Sequence, residues 1–247
     1  MSRSVIPESE VLFTGGSGLL GREMRPLMPA AQYPTSSELD VSDAAALEAY
    51  AREHTVGLVV HAAAFTSPPR IDEEPLRALE SNIIGTANVV RLCASLGCRL
   101  VYISTDYVFK GDAGPYREDD PVLPVNKYAW SKLGGECAVR LYDRALIVRT
   151  SFGPNEFPFP KAFVDQWTSR ESVSVIARKL RDVILSDVTG VLHVGGPRRT
   201  VMEYARSLDE SKQIGELSIH DVGFAVPADT SLDCSKYARL FGESDGS

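Results

Sequence analysis

The feature that most constrains this chain is a run of glycines near its start. Val11-Leu-Phe-Thr14 is a short apolar stretch of the kind that forms a β-strand. It leads directly into Thr14-Gly-Gly-Ser-Gly-Leu-Leu-Gly21, where Gly15, Gly18 and Gly21 have the spacing GxxGxxG. That spacing answers three backbone demands: a tight turn, close approach of a pyrophosphate to the main chain, and close packing of the next helix on the strand. The helix then offers its unpaired N–H groups, from Leu19, Leu20 and Gly21, and a partial positive charge to the phosphates. A flexible turn is the plain alternative. The strand before the glycines and the helix after them favour nucleotide binding.

The rest of the chain repeats the same rhythm. Helices are expected over 19–28, 43–53, 76–96, within 122–142, and over 178–185 and 201–208. Strands are expected over 56–61, 99–104, 145–149 and 191–194, with a weak one at Gln32-Tyr-Pro34. Val56 to His61 is almost continuously apolar, as in a parallel strand covered on both faces. Strands alternating with helices make this an α/β chain with a Rossmann-type doubly wound parallel sheet over residues 1–152. Residues 153–247 then form a small C-terminal substrate lobe, interleaved with the last sheet strand at about 190–195. Two loops, Lys110 to Pro124 and Gly153 to Pro160, directly follow strands, where ligands bind in such sheets.

Composition excludes several classes. The 247 residues, 44% hydrophobic, are enough for one large domain or a domain with a lobe. Lys and Arg number 26 against 33 Asp and Glu, a net charge of -7 that argues against a nucleic-acid partner. No apolar run approaches the ~18 residues of a membrane span. The start MSRSVIPESE lacks the apolar core of a signal peptide, so a cytoplasmic protein is expected. Cysteines at 93, 98, 137 and 234 show no CxxC spacing, and the four histidines do not pair at i, i+4. Free thiols and no metal site follow.

Tyr128-Ala-Trp-Ser-Lys132 places a phenol and an ammonium at i and i+4, on one helix face. A lysine cation beside a phenol lowers its pKa, and a phenol so tuned can protonate a carbonyl oxygen as hydride arrives. The preceding strand ends in Ser104 and Thr105, whose hydroxyls lie where reacting groups belong in such sheets. Thr105 is the catalytic candidate of the two, and Asp106 beside it reads better as a turn residue. About 20 residues past the glycines, NAD binding calls for an acid on the ribose. There the chain has Thr35, Ser36 and Ser37, which suit a 2′-phosphate, with Arg22 as counter-charge. NADP(H) is therefore favoured over NAD(H), although Glu38 keeps NAD open.

Taken together, these stretches resemble the extended short-chain dehydrogenase/reductase family, and within it the dTDP-4-dehydrorhamnose reductase group. The matching stretches are TGGSGLLG (14–21), LDVSD (39–43), HAAAFT (61–66), DEEP (72–75), SNIIGTANVV (81–90), STDYVF (104–109), YAWSKLGGE (128–136), RTSFGP (149–154) and GVLHVGG (190–196). The resemblance implies that Asp40 and Val41 contact the adenine and that Ala62, Ala63 and Ala64 line the cofactor. It implies that Thr105, Tyr128 and Lys132 are catalytic, with Lys132 also on the nicotinamide ribose. The implied substrate is a 4-keto nucleotide-sugar reduced by NAD(P)H. A nucleotide-sugar epimerase or dehydratase, or a non-catalytic NADP-binding regulatory subunit, remains an alternative. A homodimer through the helices within 76–96 and 128–142 is also implied, though core packing would explain their apolar faces equally well.

The C-terminal third departs from the pattern. Only 13 residues separate Ser151 from Asp165, so the family's substrate helix is expected to be shortened or absent. The late Arg-Pro-rich loop that clamps a diphosphate in the family corresponds to Pro227-Ala-Asp-Thr-Ser-Leu-Asp233, which has no arginine. Lys161, Arg198 and Arg199 are the candidate replacement cations, with solvation of helix flanks as their plain explanation.

Overall fold

The computed structural model describes residues 6–223 and 226–242. Its centre is a sheet of five parallel strands, in the order β1 (Val11–Thr14), β2 (Leu58–His61), β3 (Arg99–Ile103), β4 (Ala145–Thr150) and β9 (Gly190–Val194). The first half runs β1 (Val11–Thr14), α1 (Leu19–Leu27), α2 (Ala44–Glu53), β2 (Leu58–His61), α3 (Pro68–Glu73), α4 (Pro75–Ala78), α5 (Gly85–Leu96) and β3 (Arg99–Ile103). Then come α6 (Lys127–Val139), β4 (Ala145–Thr150), short strands β5 (Phe152–Gly153), β6 (Lys161–Phe163), β7 (Trp167–Thr168) and β8 (Glu171–Ser172), and α7 (Val173–Ile184). The chain closes with β9 (Gly190–Val194), β10 (Arg199–Thr200), α8 (Val201–Leu208), β11 (Gly215–Leu217) and α9 (Ser235–Phe241).

Successive strand residues point to opposite faces, and each face has its own helices. Val11, Phe13, Leu58, Val60, Val101 and Leu146 pack with Leu20 and Met24 of α1 and Ile176 and Leu180 of α7. Leu12, Val59, Leu100, Tyr102 and Ile147 pack on the other side with Leu47 of α2, Val89 and Leu92 of α5, and Val139 of α6. The sheet is therefore doubly wound.

Several boundaries move for local reasons. The weak strand at Gln32 is reduced to a single bridge with Leu12, on the edge of β1 away from β2. Pro34, which has no N–H to donate, ends the pairing. The stretch 76–96 is not one helix: Leu79–Ile84 forms a π-helical turn between α4 and α5. The helix expected within 122–142 starts only at Lys127, where the Asn126 side chain accepts the Ala129 N–H at 2.8 Å. α7 starts earlier than expected, at Val173, because Ser172 caps it.

Of the described residues after Gly153, α7, β9 and α9 belong to the sheet and its core, and the rest hold short strand pairs, α8 and a small core of Phe157, Ala162, Val201, Met202, Tyr204 and Ala205. No helix lies between Ser151 and Asp165. Among the described residues, no helix is long and apolar enough to cross a membrane.

Candidate active site

The glycine turn is built as the spacing requires. Gly15 has φ +77°, and a Cβ on it would lie 2.7 Å from the Ala63 nitrogen. At Gly21 a Cβ would lie 2.6 Å from the Gly16 Cα, so side chains there would push α1 off the turn. Gly18 is the N-cap of α1 and makes no side-chain capping bond, leaving the first-turn N–H groups without a side-chain acceptor.

Above the carboxyl ends of the strands lies a cleft of about 460 Å³. Of the expected site residues, Gly15, Gly18, Leu19, Leu20, Ala62, Ala64, Ser104, Thr105, Tyr128 and Lys132 line it. Gly21, Arg22, Ala63, Asp40 and Val41 are not part of this lining. Gly21 is packed into the turn, Ala63 lies against Gly15, and Val41 lies against Gly85. Arg22 is exposed, and Asp40 accepts both the N–H and the hydroxyl of Ser42. The loops 110–124 and 153–160 do not line the cleft either. Tyr116 holds the first loop together, accepting the N–H groups of Gly111, Asp112 and Ala113 on its phenol oxygen. The second turns Phe157 into the lobe core.

A larger hollow of about 670 Å³ lies at the opposite, amino ends of the strands. Ligands of open parallel sheets bind at the carboxyl ends. Arg99 in the hollow is engaged by the carbonyls of Val183, Ile184 and Val188.

Tyr128 and Lys132 project from α6 toward the end of β3. The Lys132 ammonium donates to the Ile103 carbonyl at 2.8 Å, and burial pushes its pKa down to about 7. Burial pushes the Tyr128 phenol up to about 12; a hydrogen bond with Thr105 and the charge of Arg170 pull the other way. The downward pull expected from Lys132 thus comes from other groups. The Thr105 hydroxyl donates to Asp106 at 3.2 Å and caps the turn that follows, accepting the Tyr107 N–H. Thr230, from the late segment, donates to the other Asp106 oxygen at 2.7 Å. Both Asp106 oxygens are therefore occupied, and burial raises its pKa.

Beneath the cleft lies a second layer that the sequence motifs do not assign. Glu136, one turn beyond Lys132, accepts the Ser104 hydroxyl at 2.6 Å and pairs with Arg149 at 2.9 Å and 3.1 Å. Both side chains are essentially fully buried. Asn82, in the π-helical turn, bonds both backbone polar groups of Phe65 and donates to Ser131, whose hydroxyl returns to the Tyr128 carbonyl. His61 links Thr14 to Thr86 and is neutral near pH 7, since burial takes its pKa to about 3. Their signal was weak but present: Glu136 continues the i, i+4 face of Tyr128 and Lys132, and Asn82 lies within the quoted SNIIGT stretch.

The three expected anion-binding cations lie elsewhere. Arg198 is ion-paired to Asp229 at 2.9 Å and stacked 3.8 Å from the Trp167 ring. Arg199 pairs with Glu171 at 3.1 Å, and Lys161 is exposed on β6. The cation that lines the cleft beside Lys132 is Arg170, between β7 and β8, which no motif singled out. Among the described residues no group of three or more His, Cys, Asp or Glu is placed to hold a metal ion, and all four cysteines are free.

The glycine cradle and the uncapped α1 terminus suit a pyrophosphate. Thr150, at the cleft wall, adds a buried hydroxyl that has no partner among the described residues, ready for a polar group of a bound molecule. The residues present therefore fit a nicotinamide dinucleotide.

Residues 9–183 match the family model for the RmlD substrate binding domain. The dTDP-4-dehydrorhamnose reductase of Streptomyces griseus is 38% identical over 164 residues, spanning 62% of this chain but only 54% of that protein. Methionine adenosyltransferase 2 subunit beta of Xenopus laevis is 32% identical over 95% of this chain and 83% of its own length. Among solved structures, dTDP-4-dehydrorhamnose reductase from Bacillus anthracis in complex with NADP superposes with a TM-score of 0.84 at 26% identity, covering 94% of this chain and 92% of that one.

Proposed function

The chain belongs to the family of the RmlD substrate binding domain, and on that premise we propose that it is an NAD(P)H-dependent reductase of a 4-keto sugar, nucleotide-linked. One observation carries the reading: Thr105, Tyr128 and Lys132 share one cleft with the glycine turn. Gly15, Gly18 and the first turn of α1 would hold the pyrophosphate, and Lys132 and Tyr128 the nicotinamide ribose. Bound there, the dinucleotide supplies the hydride that reduces the carbonyl carbon.

The chain's own residues handle the proton. With a pKa of about 12, Tyr128 keeps its proton through the physiological range and so enters the reducing direction as an acid. It gives that proton to the carbonyl oxygen. Thr105 orients the same oxygen, exchanging its long bond to Asp106 for one to the substrate. Lys132, with a pKa near neutrality, supplies the positive charge that the resulting phenolate needs. Asp106 keeps the Thr230 hydroxyl on its other oxygen through this exchange, so the carboxyl beside Thr105 stays hydrogen-bonded, which favours a reductase over a dehydratase.

NADP(H) is the preferred cofactor in this proposal. Glu38, the acid that would hold a free ribose, is bonded instead to the N–H and hydroxyl of Thr35. The Ser36 hydroxyl and Arg22 are left to receive a 2′-phosphate, with Thr35 and Ser37 bonded to each other beside them. The exposed Leu76, Leu79 and Trp130 on α4, the π-helical turn and α6 support a homodimer as part of the proposal.

The test is turnover of a dTDP-4-keto-6-deoxysugar with NADPH. Tyr128→Phe should lower kcat about 100-fold or more while leaving NADPH affinity unchanged. Turnover within a few-fold of wild type would defeat the reading. The near full-length match to methionine adenosyltransferase 2 subunit beta supports a second reading, a subunit that binds the dinucleotide without using it. NADPH binding with no oxidation of it by any 4-keto sugar would favour that role.

A further inference from the structure

Arg170 is held in place by its own backbone. Its N–H donates to the Thr168 hydroxyl at 3.1 Å, and its carbonyl accepts from Arg199 at 2.9 Å. The adjoining β8 pairs with β5, next to Ser151. The side chain is far less committed. Among the described residues its one side-chain hydrogen bond is a long contact, 3.5 Å, from Nε to the Ser151 hydroxyl, and it forms no ion pair.

Neighbouring arginines differ in this respect. Arg149, Arg198 and Arg199 are each ion-paired to a carboxylate, Glu136, Asp229 and Glu171 respectively. Asp106, which feels the Arg170 charge, has both oxygens taken by Thr105 and Thr230. Lys132, the other cation in the cleft, is buried and committed to the Ile103 carbonyl. Arg170 thus brings a half-buried guanidinium, with its terminal N–H groups unassigned, to the cleft that holds Thr105 and Tyr128. Withdrawing such a group from water without a counter-charge is costly, and the partner its planar fork fits best is an oxyanion.

We propose that Arg170 is the specificity-determining residue of this cleft and that it binds an oxyanion carried by the carbonyl substrate, a phosphate or a carboxylate. The inference rests on the reductase reading and extends it. The charge recognition that a late arginine loop would provide is moved onto the β7–β8 connection, and neutral ketones are poor substrates.

The test is calorimetric titration of NADP⁺-loaded protein with dTDP, with D-glucuronate, and with D-glucose as the neutral control. Wild type should bind dTDP or glucuronate and not glucose, and the arm that responds identifies diphosphate or carboxylate as the source. Arg170→Gln should weaken that binding about 10- to 100-fold, the range of a charged hydrogen bond, with Arg170→Lys in between and NADP⁺ affinity within about two-fold. Equal anion affinity in Arg170→Gln would overturn the inference. So would a matching loss of NADP⁺ affinity, which would make Arg170 a cofactor ligand. NADP⁺-loaded wild type that binds neither anion would remove the Arg170 assignment and leave the reductase reading standing. Wild type that binds no NADP⁺ would remove both.

Discussion

Replacing Lys132 by methionine should stabilise the cofactor-free protein at neutral pH and abolish turnover. The ammonium sits on a side chain 3% exposed, and burial lowers its pKa from 10.5 to about 7. Each unit of that shift corresponds to ~1.4 kcal/mol. At pH 7 the unfolded chain carries this lysine fully protonated and the folded chain about half so, which costs folding about 4 kcal/mol. At pH 9 the same cost is about 2 kcal/mol. The folded pKa lies below the unfolded one, so the unfolded state binds more protons between pH 7 and 10.5 and the protein gains stability as pH rises through that window. Methionine fills a similar volume and removes the titration, but it leaves the Ile103 carbonyl without its donor, a loss of roughly 1–3 kcal/mol. Urea unfolding of both proteins at pH 7 and pH 9 separates these effects. Between the two pH values wild type should gain about 2 kcal/mol more than Lys132→Met. This double difference cancels every other titrating group the substitution does not touch. A value below about 0.5 kcal/mol would mean that the lysine is solvated in the folded state, and would refute the argument.

Three further substitutions probe the layers around this site. Gly15→Ala forces a Cβ onto a residue at φ +77° and 2.7 Å from the Ala63 nitrogen; NADPH affinity should fall by at least ~10-fold and Tm should drop, as read by fluorescence titration and thermal melts. Glu136→Gln leaves the Arg149 guanidinium buried without its countercharge, so urea unfolding should show a loss of about 3–5 kcal/mol, with Arg149→Met added to Glu136→Gln recovering most of it. Thr230→Val removes the donor to one Asp106 oxygen. Its cost, about 1–3 kcal/mol at pH 7, should shrink as pH falls and Asp106 takes up a proton, which unfolding at pH 7 and pH 5 would show.

Most of the scaffold is legible in the sequence because its signals are local. The glycine turn, the apolar strands and the i, i+4 spacing of Tyr128 and Lys132 each depend on neighbours a few residues away, and the structure brings them to one cleft. The boundaries that moved did so where a single side chain decides them: Asn126 capping α6, Ser172 capping α7, Pro34 ending the weak edge strand. The candidate cations outside the cleft have a different cause. Arg198 and Arg199 are taken by Asp229 and Glu171, which lie 31 and 28 positions away along the chain, and only the fold shows that these pairs form. Arg170 escaped notice for the converse reason: nothing in its neighbourhood marks an arginine that finds no carboxylate. The loop 110–124 looked like a ligand loop because it follows a strand, yet Tyr116 gathers its N–H groups inward and stacks on Phe109 at 4.3 Å between ring centres.

That loop and the late segment together explain how so small a lobe can complete a site. The Tyr116 N–H donates to the Ser231 carbonyl at 2.8 Å, and the Asp233 N–H returns to the Tyr116 carbonyl at 2.7 Å. His193, at the end of β9, adds a contact to the same Tyr116 carbonyl at 3.1 Å, and Glu118 accepts the His193 N–H. Thr230, inside the braced segment, reaches Asp106 directly beside Thr105. The lobe is thus attached to the carboxyl end of β3 by backbone and carboxylate bonds that lie largely out of water, where hydrogen bonds hold geometry well. A long substrate helix could impose shape by covering the cleft. Here shape is imposed from below, by fixing Thr105 through Asp106, Ser104 through Glu136, and Tyr128 through Ser131 and Asn82. With Thr105, Ser104 and Tyr128 held in this way, the proposed reductase needs from the lobe chiefly a charge for its substrate, which the proposal places on Arg170.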